Sequence, residues 1–216
     1  MAGDVISFTL LAISSILIII NPLGATLIYV SLTTGLDQHA RNGIIRDSCR
    51  FALFILLFVA VLGTWILQLF GISLEAFRIA GGILLFGIGM EMVYAKTSRT
   101  KLTATEKYES RDMEDIAIMP IAIPMIAGPG AITTSIVLMN EAIALTPVAI
   151  GVVLFSIAFS IGITYYMMRH SDYIMSRIGQ REYRAINRLM GMLLIAIAVQ
   201  FVINGIWMAF PGLKGG

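Results

Sequence analysis

Six stretches of the chain are almost wholly apolar: Val5–Leu32, Phe51–Phe70, Phe77–Tyr94, Ile116–Met139, Pro147–Met168 and Leu189–Phe210. Polar residues collect in the joints between them. Five of the stretches are near the roughly 20 residues that a helix needs to cross a bilayer. The first is longer. Its 28 residues would make a straight helix of about 42 Å at a rise of about 1.5 Å per residue, against a hydrocarbon core of about 30 Å. A helix-breaking cluster, Asn21-Pro22-Leu23-Gly24, lies within it, and a break there lets the two pieces end at different depths. A second cluster, Pro124-Met125-Ile126-Ala127-Gly128-Pro129-Gly130, interrupts the fourth stretch.

Capping chemistry marks several ends. Thr146-Pro147 reads as an N-cap followed by proline at the first helical position, where no donor is lost. Ser73 with Glu75 just inside suits the start of the third helix, whose dipole favours negative charge. Pro211-Gly212 stops the last helix.

The two halves resemble each other. Asn21-Pro22-Leu23-Gly24-Ala25 matches Gly128-Pro129-Gly130-Ala131 with the prolines in register, and Arg78-Ile79-Ala80-Gly81-Gly82 matches Arg188-Leu189-Met190-Gly191-Met192. Three helices per copy is an odd number, so the second copy is expected upside down relative to the first, as in many secondary transporters. The predicted fold is therefore an all-α membrane protein. Its six transmembrane helices form two inverted three-helix repeats, with helices 1 and 4 discontinuous. The first repeat takes residues 1–95, a cytoplasmic linker 96–115, and the second repeat 116–216.

Composition agrees. Of 216 residues, 58% are hydrophobic and 13% charged, and the mean hydropathy is +0.89. A soluble domain is nearer 45–50% apolar and about 25% charged. The first residues, Met1-Ala2-Gly3-Asp4, lack a basic n-region and no Ala-x-Ala-like cleavage site follows, so the first apolar stretch is expected to stay in the protein. One cysteine, Cys49, leaves no intrachain disulfide to form; it reads as a small apolar residue.

Charge distribution sets the topology. With six spans, one side carries Arg41, Arg46, Arg50, Lys96, Arg99, Lys101, Lys107, Arg111, Arg169, Arg177, Arg181, Arg184 and Arg188, and the other only Arg78 and Lys214. By the positive-inside rule both termini lie outside and the basic joints face the cytoplasm. The expected location is the cell membrane. The stretch Lys96–Asp115 mixes both signs, which argues against a nucleic-acid site or a purely basic lipid patch; Thr103 and Glu106 have capping-box spacing for a short surface helix.

Proline removes an amide hydrogen and glycine loosens the backbone, so each cluster unwinds its helix. In lipid, the freed groups are tolerated only against protein or a water-filled cavity. One isolated cluster is most simply a packing kink, since Pro and Gly are common in membrane helices. Two at corresponding positions favour a site. The second piece of each broken helix offers N–H groups with about +0.5 charge, and the first piece offers carbonyls with about −0.5. Neutral polar residues lie near: Asn21, Thr26, Thr133 and Thr134, with Ser14, Ser15, Gln200 and Asn204 further off. No Asp, Glu, Lys or Arg lies in either break. A zwitterion would thus find both counter-charges in backbone, whereas an ion of net charge would lack one. The candidate substrate-binding residues are Asn21, Pro22, Leu23, Gly24, Ala25 and Thr26 with Gly128, Pro129, Gly130, Ala131, Ile132 and Thr133.

The Asn-Pro-Leu-Gly break, the run Ile123–Thr133 and the Arg-x-x-Gly helix starts at Arg78 and Arg188 resemble the MarC family of integral membrane proteins, across essentially the whole chain. Its characterised type is the SnatA small neutral amino acid transporter. The resemblance implies transport of glycine, alanine and similar amino acids, driven by a cation gradient, of protons in the first instance.

Other residues carry less. Glu75 and Arg78 have i,i+3 spacing, so a local pair is expected. Asp47, read as standing at the start of the second helix between Arg46 and Arg50, reads as an interfacial ion-pair cluster. His39 and His170 read as solvated helix-end residues, and the thirteen methionines as packing. Ser156, Ala158, Ser160, Gly162 and Thr164 give small-xxx-small pairs, such as Ala158/Gly162, expected to pack inside the bundle. No zinc-protease motif, nucleophile elbow or P-loop occurs, so neither an enzyme nor a metal or cofactor is expected. The partners expected are a zwitterionic amino acid, a coupling proton or sodium ion, and the bilayer, with no nucleic acid. A channel or exporter for small polar metabolites and a non-transporting membrane protein stay open as alternatives.

Overall fold

A computed structural model describes residues 2–94 and 117–212. The linker 96–115, with its capping-box spacing, and Lys214 lie outside the described residues. Nine helices and no strand occur among the described residues: α1 (Ala2–Ile20), α2 (Pro22–Leu32), α3 (Gln38–Leu69), α4 (Leu74–Val93), α5 (Ala117–Ile126), α6 (Pro129–Leu145), α7 (Pro147–Arg169), α8 (Ser171–Arg177) and α9 (Gln180–Ala209). Five apolar helical stretches are long enough to cross a membrane: Val5–Leu32, Gln38–Leu69, Leu74–Val93, Pro147–Arg169 and Arg184–Ala209. Pro129–Leu145 is a shorter apolar helix. The surface matches lipid rather than water, with Leu10, Trp65 and Phe54 each about two-thirds exposed (67%, 65% and 65%).

The caps read from sequence are in place. Thr146 accepts a hydrogen bond from the Ala149 N–H at 3.2 Å, and Ser73 accepts one from Ala76 at 3.2 Å. Asp37, not foreseen, caps α3 through Ala40 at 2.7 Å. Gly71 at φ 67° ends α3. The Ile72 N–H there bonds the Leu67 carbonyl at 2.9 Å, the long-range bond of a Schellman turn that only a left-handed residue allows.

Two helices outrun the apolar stretches that announce them. α3 begins at Gln38 rather than near Phe51, and α9 at Gln180 rather than near Leu189. Hydropathy registers only the lipid-facing part of a helix, whereas backbone hydrogen bonding continues past the interface. At about 1.5 Å per residue the 32 residues of α3 span about 48 Å. Asp47 is therefore in the third turn of α3 and not at a helix start; it pairs with Arg46 at 3.0 Å.

Two apolar clusters hold the bundle. The larger joins α1, α2, α3, α5, α6 and α7 through residues such as Ile16, Tyr29, Leu56, Ile126, Leu138 and Ile157. The smaller joins α4, α6 and α9 through Leu85, Met92, Val137, Leu194, Ala198 and Phe201. α1 and α2 pack on α7, while α5 and α6 pack on α3.

The closest helix pair is α4 with α9. A Cβ on Gly89 would lie 3.0 Å from the Gly191 carbonyl oxygen, one on Gly82 would lie 2.7 Å from that of Ala198, and one on Gly205 would lie 3.1 Å from that of Glu75. Residue numbers rise along one helix as they fall along the other, so the pair is antiparallel, with small residues every seven positions. By contrast Ala158 and Gly162 are exposed, with open space beside Gly162. Of the small residues of α7 expected to pack inside the bundle, Ser156, Ser160 and Thr164 turn inward and the Ala158/Gly162 pair does not.

Candidate functional site

The first break is a single residue wide. The Asn21 N–H still bonds the Leu17 carbonyl at 3.1 Å, but its own backbone is left-handed (φ 49°, ψ 69°), and α2 starts afresh at Pro22. The Asn21 side-chain oxygen accepts the Gly24 N–H at 3.2 Å, and its carbonyl accepts Ala25 at 3.0 Å. Glycine at 24 is required by this fold-back, since a Cβ there would lie 2.4 Å from Asn21 Nδ2. Pro22, Gly24, Ala25 and Thr26 are buried, and Asn21 and Leu23 partly so.

The second break is built differently. α5 is a π-helix, closing with the Ala127 N–H on the Ala122 carbonyl at 2.8 Å. Gly128 is extended (φ −76°, ψ 170°) and offers no side-chain cap. Gly130, Ala131 and Thr133 are buried, Ile132 is partly buried, and Pro129 is exposed, unlike Pro22.

This difference revises the symmetric cradle expected from sequence. At α2 proline has no N–H and the Asn21 side chain takes that of Gly24, so Leu23 alone keeps a donor without a partner among the described residues. At α6 the N–H groups of Gly130 and Ala131 have no partner among the described residues. Only the second break keeps a free pair of donors for an anionic group. The threonines do match: Thr26 donates to the Pro22 carbonyl at 2.7 Å and Thr133 to the Pro129 carbonyl at 2.9 Å, each four residues after its proline.

Packing brings the breaks together against α4. Asn21 Nδ2 lies 3.9 Å from Met92 Sδ. A Cβ on Gly130 would stand 2.3 Å from Leu85 Cδ2 and 3.4 Å from Ile19 Cγ2, and one on Gly81 would stand 2.0 Å from Thr133 Cγ2. One face of α4 thus meets both breaks, and Ile19, two residues before the first, borders the second. Sequence reasoning missed Gly81, Leu85 and Met92, although Gly81 stood in the repeated Arg-x-x-Gly segment. Of the outlying polar residues, Ser15 is buried, whereas Ser14 is exposed and bonds the Leu10 carbonyl at 2.7 Å. Gln200 lies on the exposed side of α9 and spends its amide on Asn204 at 2.8 Å. Thr134 and Ser135 on α6 and Ser160 on α7 are fully buried, and their hydroxyls find no partner among the described residues. Each such hydroxyl costs about 1–3 kcal/mol when unpaired.

Ion pairs also depart from expectation. Arg78 does not pair with Glu75. It reaches from α4 to Glu141 on α6 at 2.5 Å, with its guanidinium over the Phe201 ring at 6.0 Å and 3.4 Å from Met208 Sδ. Local spacing could not reveal a partner 63 residues away. Near it a cavity of about 310 Å³ opens between Thr64, Gln68, Ser73, Glu75, Asn140 and Met208. At the opposite end of α3, Arg41 binds Asp172 at 2.9 Å, and Arg169 hydrogen-bonds Asn42. His39 and His170 are exposed, and no group of three His, Cys, Asp or Glu able to hold a metal occurs among the described residues.

Apolar helices of spanning length and a lipid-like surface define a multi-pass integral membrane protein. The chain belongs to the MarC family of integral membrane proteins, whose model matches residues 6–210. It is 40% identical over 201 residues to the UPF0056 membrane protein MJ1677 of Methanocaldococcus jannaschii, covering 93% of this chain and 97% of that one. It is 36% identical over 208 residues to the UPF0056 membrane protein YvbG of Bacillus subtilis (96% and 98%), and 34% identical over 199 residues to YhcE of Escherichia coli (90% of each). No solved structure matches the chain.

Proposed function

We propose that the protein is a secondary active transporter of small neutral amino acids of the glycine, alanine and serine type. One observation carries this reading: two proline-broken helices meet at a common wall, α4, without a charged side chain in either break. The free Gly130 and Ala131 N–H groups suit a carboxylate. The Ile18 and Ile20 carbonyls suit an ammonium group, because proline at 22 and capping at 24 deprive them of helical donors. Apolar neighbours Ile19, Leu85 and Met92 favour a small side chain over a charged one. The substrate-binding residues are those of the two breaks, Asn21–Thr26 and Gly128–Thr133. The resemblance to the SnatA type points the same way.

Six spans in two inverted repeats, residues 1–95 and 116–216, accompany this reading. Its supports are the reciprocal packing of α1 and α2 on α7 and of α5 and α6 on α3, the antiparallel α4–α9 pair, and the matched threonines. The excess of basic residues at one end supports both termini lying outside the cell membrane. Coupling to a proton or sodium gradient supplies the driving force, and no covalent chemistry on the substrate is involved. Counterflow of labelled glycine in proteoliposomes tests the reading, repeated with proton and sodium gradients. Transport of lysine or glutamate without neutral amino acids would overturn it, as would unitary currents.

A further inference from the structure

We propose that Arg181, Arg184 and Arg188 of α9 form a binding site for the phosphate headgroup of an anionic phospholipid, at the end of the bundle where the basic residues gather. The inference goes beyond the transport reading and needs only that the chain spans a membrane. The three side chains, with Ala185, line one hollow of about 200 Å³. They follow one another at intervals of three and four residues, so they share a face of the helix. All three are exposed, and none forms an ion pair among the described residues. Acids at this end are turned elsewhere. Asp172 pairs with Arg41 at 2.9 Å, Asp47 pairs with Arg46 at 3.0 Å, Asp37 caps α3, and the Glu182 carboxylate folds back over Gly179. α9 therefore opens with like charges at i,i+3 and i,i+4, which repel, at the helix end whose dipole already favours anions. An anion in the hollow relieves both.

The hollow lies at headgroup depth. Arg188 directly precedes Leu189, the first residue of the apolar stretch, and Arg184 and Arg181 stand four and seven residues before Arg188, about 6 and 10.5 Å along the helix at about 1.5 Å per residue. The headgroup layer extends about 5–8 Å beyond the hydrocarbon on each side, and an arginine side chain reaches several ångströms back toward its charge partner. The arginine face also continues into lipid. Met192, Val199 and Ile206 follow Arg188 at intervals of four, seven and seven residues, and they are 51%, 42% and 37% exposed. α4 lies beside this face rather than across it, since Asn187 donates to the Met92 carbonyl at 3.3 Å and Gly191 packs against the same residue. The hollow thus stands directly over side chains that face acyl chains, where a bilayer places its phosphates, and this selects a lipid over a soluble anion. Guanidinium suits that group, because it keeps its charge at any ordinary pH and donates paired hydrogen bonds to phosphate oxygens.

Counting bound lipid tests this. Purified protein in a non-ionic detergent is titrated with phosphatidylglycerol or with zwitterionic phosphatidylcholine, and bound lipid is counted by native mass spectrometry. Each arginine near an anionic surface is worth about fivefold in affinity. The triple variant Arg181→Gln, Arg184→Gln, Arg188→Gln is therefore expected to bind phosphatidylglycerol about a hundredfold more weakly than the native chain, with phosphatidylcholine binding unchanged. Arg50→Gln, exposed on α3 at the same end and outside the hollow, is expected to change neither. If the triple variant does not fold, the three single variants decide, each expected to lose about fivefold. Equal phosphatidylglycerol affinity in native and variant chains overturns the proposal, as does equal binding of the two lipids by the native chain or a loss at Arg50→Gln as large as at the hollow. Displacement of the lipid by inorganic phosphate at matched concentration also overturns it, since the site is then one for a soluble anion. No lipid on the native chain overturns it too, and makes the acids of the linker 96–115 the candidate occupant. None of these readouts involves glycine, so a failure of the transport reading leaves the test intact.

Discussion

Asn21 offers the sharpest test of the first break, because two of its contributions separate by substitution. Its backbone is left-handed at φ 49°, which costs an ordinary L-residue about 1–2 kcal/mol and glycine almost nothing. Its side chain also satisfies the buried Gly24 N–H at 3.2 Å, worth about 1–3 kcal/mol where lipid and protein leave no water to replace it. Asn21→Ala loses both, about 3 kcal/mol in all, whereas Asn21→Gly loses only the second, about 2 kcal/mol. For a chain of this size 1 kcal/mol moves the melting temperature by about 2–4 °C. Purified protein in detergent should therefore melt in the order native, Asn21→Gly, Asn21→Ala, the last two about 2–4 °C apart. A coupled measurement sharpens the point. Gly24→Ala should be costly in the native chain, where its Cβ would meet Asn21 Nδ2 at 2.4 Å, and cheaper once Asn21→Gly removes that neighbour. Alanine at 21 as stable as glycine, or no coupling between 21 and 24, would refute this account of the left-handed break at Asn21.

Other outcomes follow from the packing. Gly81→Ala should cost about 1–3 kcal/mol through overpacking on Thr133, and Thr133→Ser, which removes the methyl 2.0 Å from the added Cβ, should recover part of it in a thermal melt. Gly89→Leu should separate α4 from α9 and lower the yield of monodisperse protein far more than Gly162→Leu, whose site is open. Asp172→Asn should cost under about 1 kcal/mol, as an exposed pair does; Arg78→Met removes the cation from a largely buried pair and strands Glu141, so its cost should approach about 3 kcal/mol. Glycine at about 100 times its dissociation constant should stabilise the purified protein by about 2.7 kcal/mol, and lysine at the same concentration should not.

Much of this protein is legible along the chain because bilayer and backbone impose local rules. Spanning stretches show as apolar runs. Ser73 and Thr146 cap their helices through neighbours three residues on, and Pro22 and Pro129, which lack an amide hydrogen, start new helices at the breaks. Helix lengths were less legible: α3 and α9 continue through arginine-bearing turns that lipid does not select. Of the small residues of α7, Ser156, Ser160 and Thr164 turn inward while Ala158 and Gly162 face out, since spacing alone cannot say which face of a helix turns inward.

The sequence by itself determined the spans, the caps and the two breaks, each set by residues within about a turn of one another. Only the tertiary structure decided what those breaks face. Leu85, Met92 and Gly81 became the wall of the candidate site, Asn21 took the Gly24 donor while Gly128 left that of Ala131 open, and Arg78 found Glu141 rather than Glu75. Each of these is a contact between helices far apart in the chain. Burial of a whole helix face selects it, and no local pattern encodes that choice.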